Sequence, residues 1–205
     1  MIAKMLIVGL NGSPKKDGNT AFLVREGLAA AAAAGAETAL IHIADAMADQ
    51  KIPYCTQCSN PCQGACSRHN RLGEAFDLLR RADGLLLGSP VYFGSVSAQL
   101  KAFWDKSRIL RKEKALLNVV GAGVTVGGAR FGGQETTMKA LFDMMLVQGM
   151  ILVGDGHTEA DCGHQGSCGQ APASSDEFAI RRVRLAGRRL AEVAAATMTL
   201  RRHRA

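Results

Sequence analysis

Side chains able to do chemistry gather in five stretches of this sequence. Four cysteines, Cys55, Cys58, Cys62 and Cys66, fall in a C-x2-C-x3-C-x3-C run, and two more, Cys162 and Cys168, stand late in the chain. Thiols this close are metal ligands or redox thiols before they are disulfides. The segment NGSPKKDGNT, from Asn11 to Thr20, sets Ser13, Lys15, Lys16, Gly18, Asn19 and Thr20 at the start of a helical pattern. Side-chain donors, a lysine and the free N–H groups of a helix N-terminus make an anion site, so a phosphate is the expected guest. The plain alternative is a capped turn with its lysines in water. Between Ser89 and Ser95, Pro90 stiffens a loop, Gly94 lets backbone come close, and Tyr92 and Phe93 offer flat surfaces suited to a planar ring. The plain alternative there is an ordinary strand-to-helix turn with both aromatics in the core. In GGARFGGQETT, from Gly127 to Thr137, glycines around Arg130 and Phe131 let backbone close on a ligand. Last, Asp161, Cys162, His164 and Cys168, with His157 upstream, are a second candidate metal constellation, against which stand ordinary loop histidines and thiols. His42 and His69 point to nothing specific.

These stretches must be held by a scaffold, and the periodicities supply one. Met5 to Gly9, Ala39 to Ile43, Leu85 to Gly88, Leu116 to Val126 and Ile151 to Val153 are short, nearly continuous apolar runs ending at glycine-bearing turns. That is the signature of parallel strands buried on both faces. Helical patterns alternate with them: to about Ala34, Leu72 to Arg81, Val96 to Ser107, Gln134 to Val147, and a final helix after Ser174. Repeated β-α units with right-handed crossovers give a doubly wound parallel sheet. Ligands bind outside the carboxyl ends of such strands, where the three glycine-rich turns fall. Between Ala44 and Asn70 the periodicity lapses, and a connection that long inside one domain is usually functional; it carries the four cysteines. Asp155 to Ser174 reads as a polar, glycine-rich connection. The expectation is a single domain over residues 1–205.

Composition narrows the function. The net charge of +7 is concentrated in Arg181, Arg182, Arg184, Arg188, Arg189 and the tail from Arg201 to Arg204. Phe178, Val183, Ala186, Leu190 and Val193 form an apolar stripe at helical spacing, which leaves the arginines on a solvated face. Few aromatics interleave with them, so nucleic-acid binding is not expected. The first apolar run is too short for a signal peptide, nothing reaches membrane-spanning length, and the alanines from Ala29 to Ala34 suit a water-exposed helix. A cytoplasmic location follows, with a reducing environment for the six cysteines. Neither G-x-x-x-x-G-K-[ST] nor G-x-G-x-x-G occurs in the first turn, which favours a monophosphate over a pyrophosphate. Neither a G-x-S-x-G elbow nor H-E-x-x-H is found.

Three segments together, GSPKKDGNT at 12–20, SPVYFGSVSAQLKAFWDK at 89–106 and GGARFGGQET at 127–136, resemble the flavodoxin-like NADPH-dependent FMN reductases, and among these the iron-sulfur flavoproteins. The resemblance implies an α/β, flavodoxin-like, doubly wound five-stranded parallel sheet of order 2-1-3-4-5 with FMN at its switch point. It implies that Ser13, Lys15, Gly18, Asn19 and Thr20 hold the phosphate. Pro90, Val91, Tyr92, Phe93 and Gly94 would line the ring, and Thr125, Gly127, Gly128, Arg130, Phe131, Gly132 and Gly133 would close its other side. His164 looks like the counterpart of a family residue that nears the flavin, so Tyr92 and His164 are expected to border its reacting face. No side chain is assigned as general acid or base. The family's cysteine run holds a 4Fe–4S cluster in the loop after the second strand, although here the second gap is one residue longer. Four thiolates at this spacing can wrap a cubane, since each reaches its own iron corner; zinc, or free redox thiols, are the rivals. The function implied is an FMN-dependent oxidoreductase or electron-transfer flavoprotein, with a small redox protein or NADPH as donor and a small-molecule acceptor. Alternatives are an NADPH-dependent FMN or quinone reductase without a cluster, and a non-enzymatic flavin- or zinc-binding sensor. A homo-dimer or homo-tetramer is expected, without membrane contact.

Overall fold

The computed structural model describes residues 5–201. Arg202 and Arg204 of the basic tail lie outside the described residues. The strands β1 (Leu6–Asn11), β3 (Gly84–Pro90) and β4 (Val120–Gly127) are buried almost throughout, as their apolar runs require. β2 (Glu37–His42) is an edge strand and is partly exposed. With β5 (Ile151–Leu152) these strands form a parallel sheet in the expected order, β2-β1-β3-β4-β5.

The segment expected to be a plain polar connection contains a further strand. β6 (Ser167–Gln170) pairs in parallel with Val124 to Gly127, farther along the same edge of β4 that β5 pairs with at Val120 and Gly121. The fifth sheet position is therefore built in two pieces, with residues 153–166 looping out between them.

Two apolar layers cover the sheet. On one side α1 (Asn19–Ala33) and α7 (Glu177–Ala196) bury Leu23, Val24, Val183 and Leu190 against Ile7, Leu86 and Val124. Gly27 and Gly187 let these two helices meet closely, since a Cβ on Gly187 would stand 2.0 Å from the Gly27 carbonyl oxygen. On the other side lie α2 (Ile43–Ala46), α3 (Arg71–Arg81), α4 (Ala98–Lys106), α5 (Arg108–Lys112) and α6 (Gln134–Leu146). Phe76 and Phe103 meet there edge to face with centroids 5.4 Å apart. The helix expected from Val96 to Ser107 is shorter, and α5 follows after a break at Ser107, whose hydroxyl donates to the Trp104 carbonyl.

Helix starts follow side-chain capping where a cap is available. Asn70 accepts from Gly73 N–H, Ser97 from Leu100 N–H and Asp176 from Ala179 N–H. The second Asp176 oxygen accepts from Gln170 N–H at 2.8 Å, tying β6 to α7. The first turn of α1 has no such side-chain cap.

The arginines of α7 and of the segment after it do not all face water as the stripe suggested. Arg182 is 1 % exposed and Arg201 is 4 % exposed, each paired to a carboxylate, Asp155 and Asp83 respectively. Val183, Ala186 and Leu190 are buried as expected, whereas Phe178 is 46 % exposed under the Arg181 guanidinium. Among the described residues no helix is long and apolar enough to cross a membrane.

Candidate functional site

The first turn is shaped from within. Asn11, fully buried at the end of β1, accepts from Ser13 N–H at 3.1 Å and donates to the Lys15 carbonyl at 3.1 Å. Ser13 Oγ accepts from Lys15 N–H. Gly18 then enters α1 in extended conformation, no side chain caps the helix, and no acidic residue lies in its first turn. The leading N–H groups, with Thr20 buried beside them, form a positive end free to take an anion. Lys16 is drawn away by Asp45 at 2.7 Å, while Lys15 has no ion-pair partner among the described residues. Asn19 is partly committed, because its Oδ1 accepts from Ala173 N–H at 2.9 Å.

The second and third turns lock to the first and to each other. Gly12 N–H donates to the Gly88 carbonyl at 2.8 Å, and buried Ser97 donates to the Gly12 carbonyl at 2.6 Å while its own N–H meets Ser89 Oγ. Beyond Pro90 and Val91, the loop closes on itself through Tyr92 and Ser95, with Phe93 and Gly94 at positive φ. Phe93 and Phe131 are almost wholly exposed, and Tyr92 is about half exposed. Aromatics of an ordinary strand-to-helix turn would lie in the core; here three rings stand in water around the carboxyl ends of β3 and β4. Thr136 Oγ1 donates to the Gly94 carbonyl, and a Cβ on Gly133 (φ 101°) would press to 3.0 Å from Gly94 Cα. Gly127 is buried, whereas Gly128, Arg130 and Gly132 are exposed. Gln134 shapes this loop: its side chain accepts from Gly132 N–H and donates to the Ala129 and Gly169 carbonyls. Thr125 is fully buried and donates to the Gln134 carbonyl at 3.1 Å, so its hydroxyl supports the loop from beneath. Asn11, Ser97 and Gln134 are the residues that the sequence reading passed over. An Asn before Gly-Ser-Pro and a Ser at a helix cap were the available signals for two of them.

The four early cysteines line one hollow of about 350 Å³, together with Asn70, Lys106 and Arg108. Cys58 is exposed, the other three are half-buried, and all are unpaired. Cys62 and Cys66 pack on the core, and Asn70 Nδ2 donates to the Cys66 carbonyl at 2.9 Å, fixing this end of the loop to α3. Burial pushes the Cys66 thiol pKa up, and the positive charge of Lys106 opposes that shift. Among the described residues, no three His, Cys, Asp or Glu side chains stand close enough to hold one metal ion.

The late constellation is not drawn together as a metal site. Asp161 turns to Arg182 Nη1 at 2.9 Å, Cys162 is exposed, and Cys168 sits in β6 with Thr125 Oγ1 3.5 Å from its sulfur. His157 meets Glu192, and His164 packs edge to face on Phe178. What organises this loop is Arg182, which donates to Asp155 Oδ2 at 2.6 Å and to the Asp155 carbonyl at 2.9 Å. The His164 N–H donates to the other Asp155 oxygen. Burial alone would raise the Asp155 pKa, yet these hydrogen bonds and the guanidinium outweigh it and hold the carboxyl below its ordinary range.

A family described as NADPH-dependent FMN reductase matches residues 5–165. An iron-sulfur flavoprotein of Methanocaldococcus jannaschii is 42 % identical over 193 residues, covering 92 % of this chain and 97 % of its own length. A second iron-sulfur flavoprotein, from Methanosarcina thermophila, is 35 % identical, with 92 % and 95 % covered. The apo form of an NADH:FMN oxidoreductase superposes with a TM-score of 0.70 at 23 % identity, covering 92 % of this chain and 89 % of that one. A flavodoxin-like, WrbA-like protein of Agrobacterium tumefaciens gives 0.67 at 20 % identity over 95 % and 99 %. At these identities the two structures attest the fold alone.

Proposed function

This chain belongs to the NADPH-dependent FMN reductase family and is a flavin-dependent oxidoreductase; from that premise we propose that it holds FMN at its three turns and a 4Fe–4S cluster at Cys55, Cys58, Cys62 and Cys66, and passes electrons between them. FMN takes electrons singly or in pairs, and a cluster passes them one at a time. The chain's own groups do the rest. The free N–H groups opening α1, with Ser13, Lys15, Gly18, Asn19 and Thr20, bind the phosphate. Pro90, Val91, Tyr92, Phe93 and Gly94 carry the ring on one side, and the Gly127 to Gly133 loop, shaped by Gln134, closes it on the other. Tyr92 and Phe131 shield the ring's edges from water, and the loop carrying His164 is held by Arg182.

One observation carries the cluster half of the proposal: all four thiols line one hollow. A zinc ion needs its thiolates gathered at about 2.3 Å from one point. A cubane offers four separate irons, one to each thiolate, and suits ligands spread around a cavity. The names of the two relatives, matched over nearly their full lengths, agree with that choice. A small redox protein delivering single electrons is then the natural donor, with a small molecule accepting them from the flavin. The family's description favours NADPH as the donor if the cluster is absent.

The test is anaerobic purification followed by an absorption spectrum and assays of FMN, iron and acid-labile sulfide. FMN with about four irons and four sulfides per chain is expected, and bleaching by a reduced ferredoxin should outpace bleaching by NADPH. Zinc without sulfide would refute the cluster and leave a flavin reductase with a metal clip.

A further inference from the structure

Lys106 closes α4 in a position unusual for a lysine. Only 4 % of it reaches solvent, and among the described residues no carboxylate lies within ion-pairing distance of its ammonium. Buried charges are normally paired. The helix dipole favours a cation in a last turn, but that attraction needs no burial. The neighbouring acid, Asp105, is taken by Lys101 at 2.7 Å. Lys106 instead lines the hollow of the four cysteines, with Arg108 beside it, and its field reaches the Cys66 sulfur.

Resting on the reading of that hollow as a cluster site, we infer that Lys106 is the fixed counter-charge of the four-thiolate centre and eases its one-electron reduction. Four thiolates leave the centre anionic, and reduction adds one more negative charge. A cation held in a poorly solvated wall therefore stabilises the reduced form more than the oxidised one. The anion completes Lys106 in turn, since it supplies the partner that the protein's own carboxylates do not.

The experiment uses the full chain, anaerobically purified with both cofactors, beside Lys106→Met and Lys106→Arg. Iron and sulfide are assayed first, and the cluster potential is then read by a dye-mediated titration followed by electron paramagnetic resonance. Lys106→Met should make reduction at least tenfold less favourable, a downward shift of about 59 mV, and Lys106→Arg should restore most of it. Loss of iron from the Met protein with retention in the Arg protein supports the inference as well, because charge and not shape separates them. An unmoved potential in fully loaded Lys106→Met, or an equal shift or equal iron loss in both variants, overturns it. Wild-type protein without iron and sulfide overturns the cluster reading and this inference with it.

Discussion

Replacing Asp155 by Asn tests how the late loop is held. Asp155 and Arg182 are both buried, their bond is 2.6 Å, and a second hydrogen bond runs from the guanidinium to the Asp155 carbonyl. Breaking one side of a buried pair costs about 3–5 kcal/mol because an uncompensated charge is left behind. Asp161 still reaches Arg182 from the exposed side, so the lower end, about 3 kcal/mol, is expected for Asp155→Asn. For a chain of this size that corresponds to a melting point lower by about 6–12 °C. Arg182→Met should cost a similar amount, this time stranding the carboxylate. The double variant should not cost the sum, since the introduced carboxamide still accepts from His164 N–H and no charge remains; roughly 2 kcal/mol or more should return. Urea unfolding followed by circular dichroism gives the cycle directly. Strict additivity would refute the claim that the two groups act as a buried pair. The pH dependence has a definite sign. Because the folded carboxyl sits below its ordinary value of about 3.9, its contribution is complete above that pH and is lost as pH falls through the folded pKa, with no change between about 5 and 8.

Three further outcomes are expected. Thr20→Ala should weaken FMN binding roughly tenfold or more, the loss of one charge-assisted hydrogen bond of about 1.5–3 kcal/mol, measured by flavin fluorescence; unchanged affinity would move the phosphate elsewhere. Cys58→Ala should lose or degrade the cluster yet keep FMN by absorbance, because none of the three turns proposed to hold FMN lies within residues 55–66. Gly187→Ala should lower stability by about 1–3 kcal/mol in urea titration despite its better helix propensity, since the new methyl would meet the Gly27 carbonyl.

Legibility in the sequence followed the strength of local signals. β1, β3 and β4 announce themselves as unbroken apolar runs, and the sheet order follows from the β-α alternation. β6 does not, because Ser-Cys-Gly-Gln carries no pattern of its own and becomes a strand only by pairing with the part of β4 that β5 leaves unpaired. Residue type alone places Arg182 on the solvated face, yet Ala179, Arg182, Val183, Ala186 and Leu190 together keep helical spacing and put it on the buried stripe. Its partner, some distance earlier in the chain, could be found only in three dimensions. At the three glycine-rich turns the residue types singled out loops that the structure brings together at the carboxyl ends of β1, β3 and β4, while Asn11, Ser97 and Gln134, which give those loops their shape through backbone bonds, carry no signature beyond being small polar residues at turns and caps. The lapse in periodicity set the cysteine segment apart as a long connection without regular strands. Lys106 was hidden because a lysine at the end of an amphipathic helix ordinarily faces water.

The backbone contact between Gly27 and Gly187 joins an early helix to a late one, and that imposes an order of events on the ribosome. β1 and α1 leave the exit tunnel first, but the face of α1 that carries Gly27 is covered by α7, which is translated after every strand of the sheet. At ordinary elongation rates the interval is on the order of ten seconds or more. During that time Leu23, Val24 and Leu28 have no native partner from α7, so this side of the sheet closes only once α7 has emerged. Long-range closure of this kind makes the last folding step slow, and the half-made chain is at its most vulnerable to aggregation before α7 arrives.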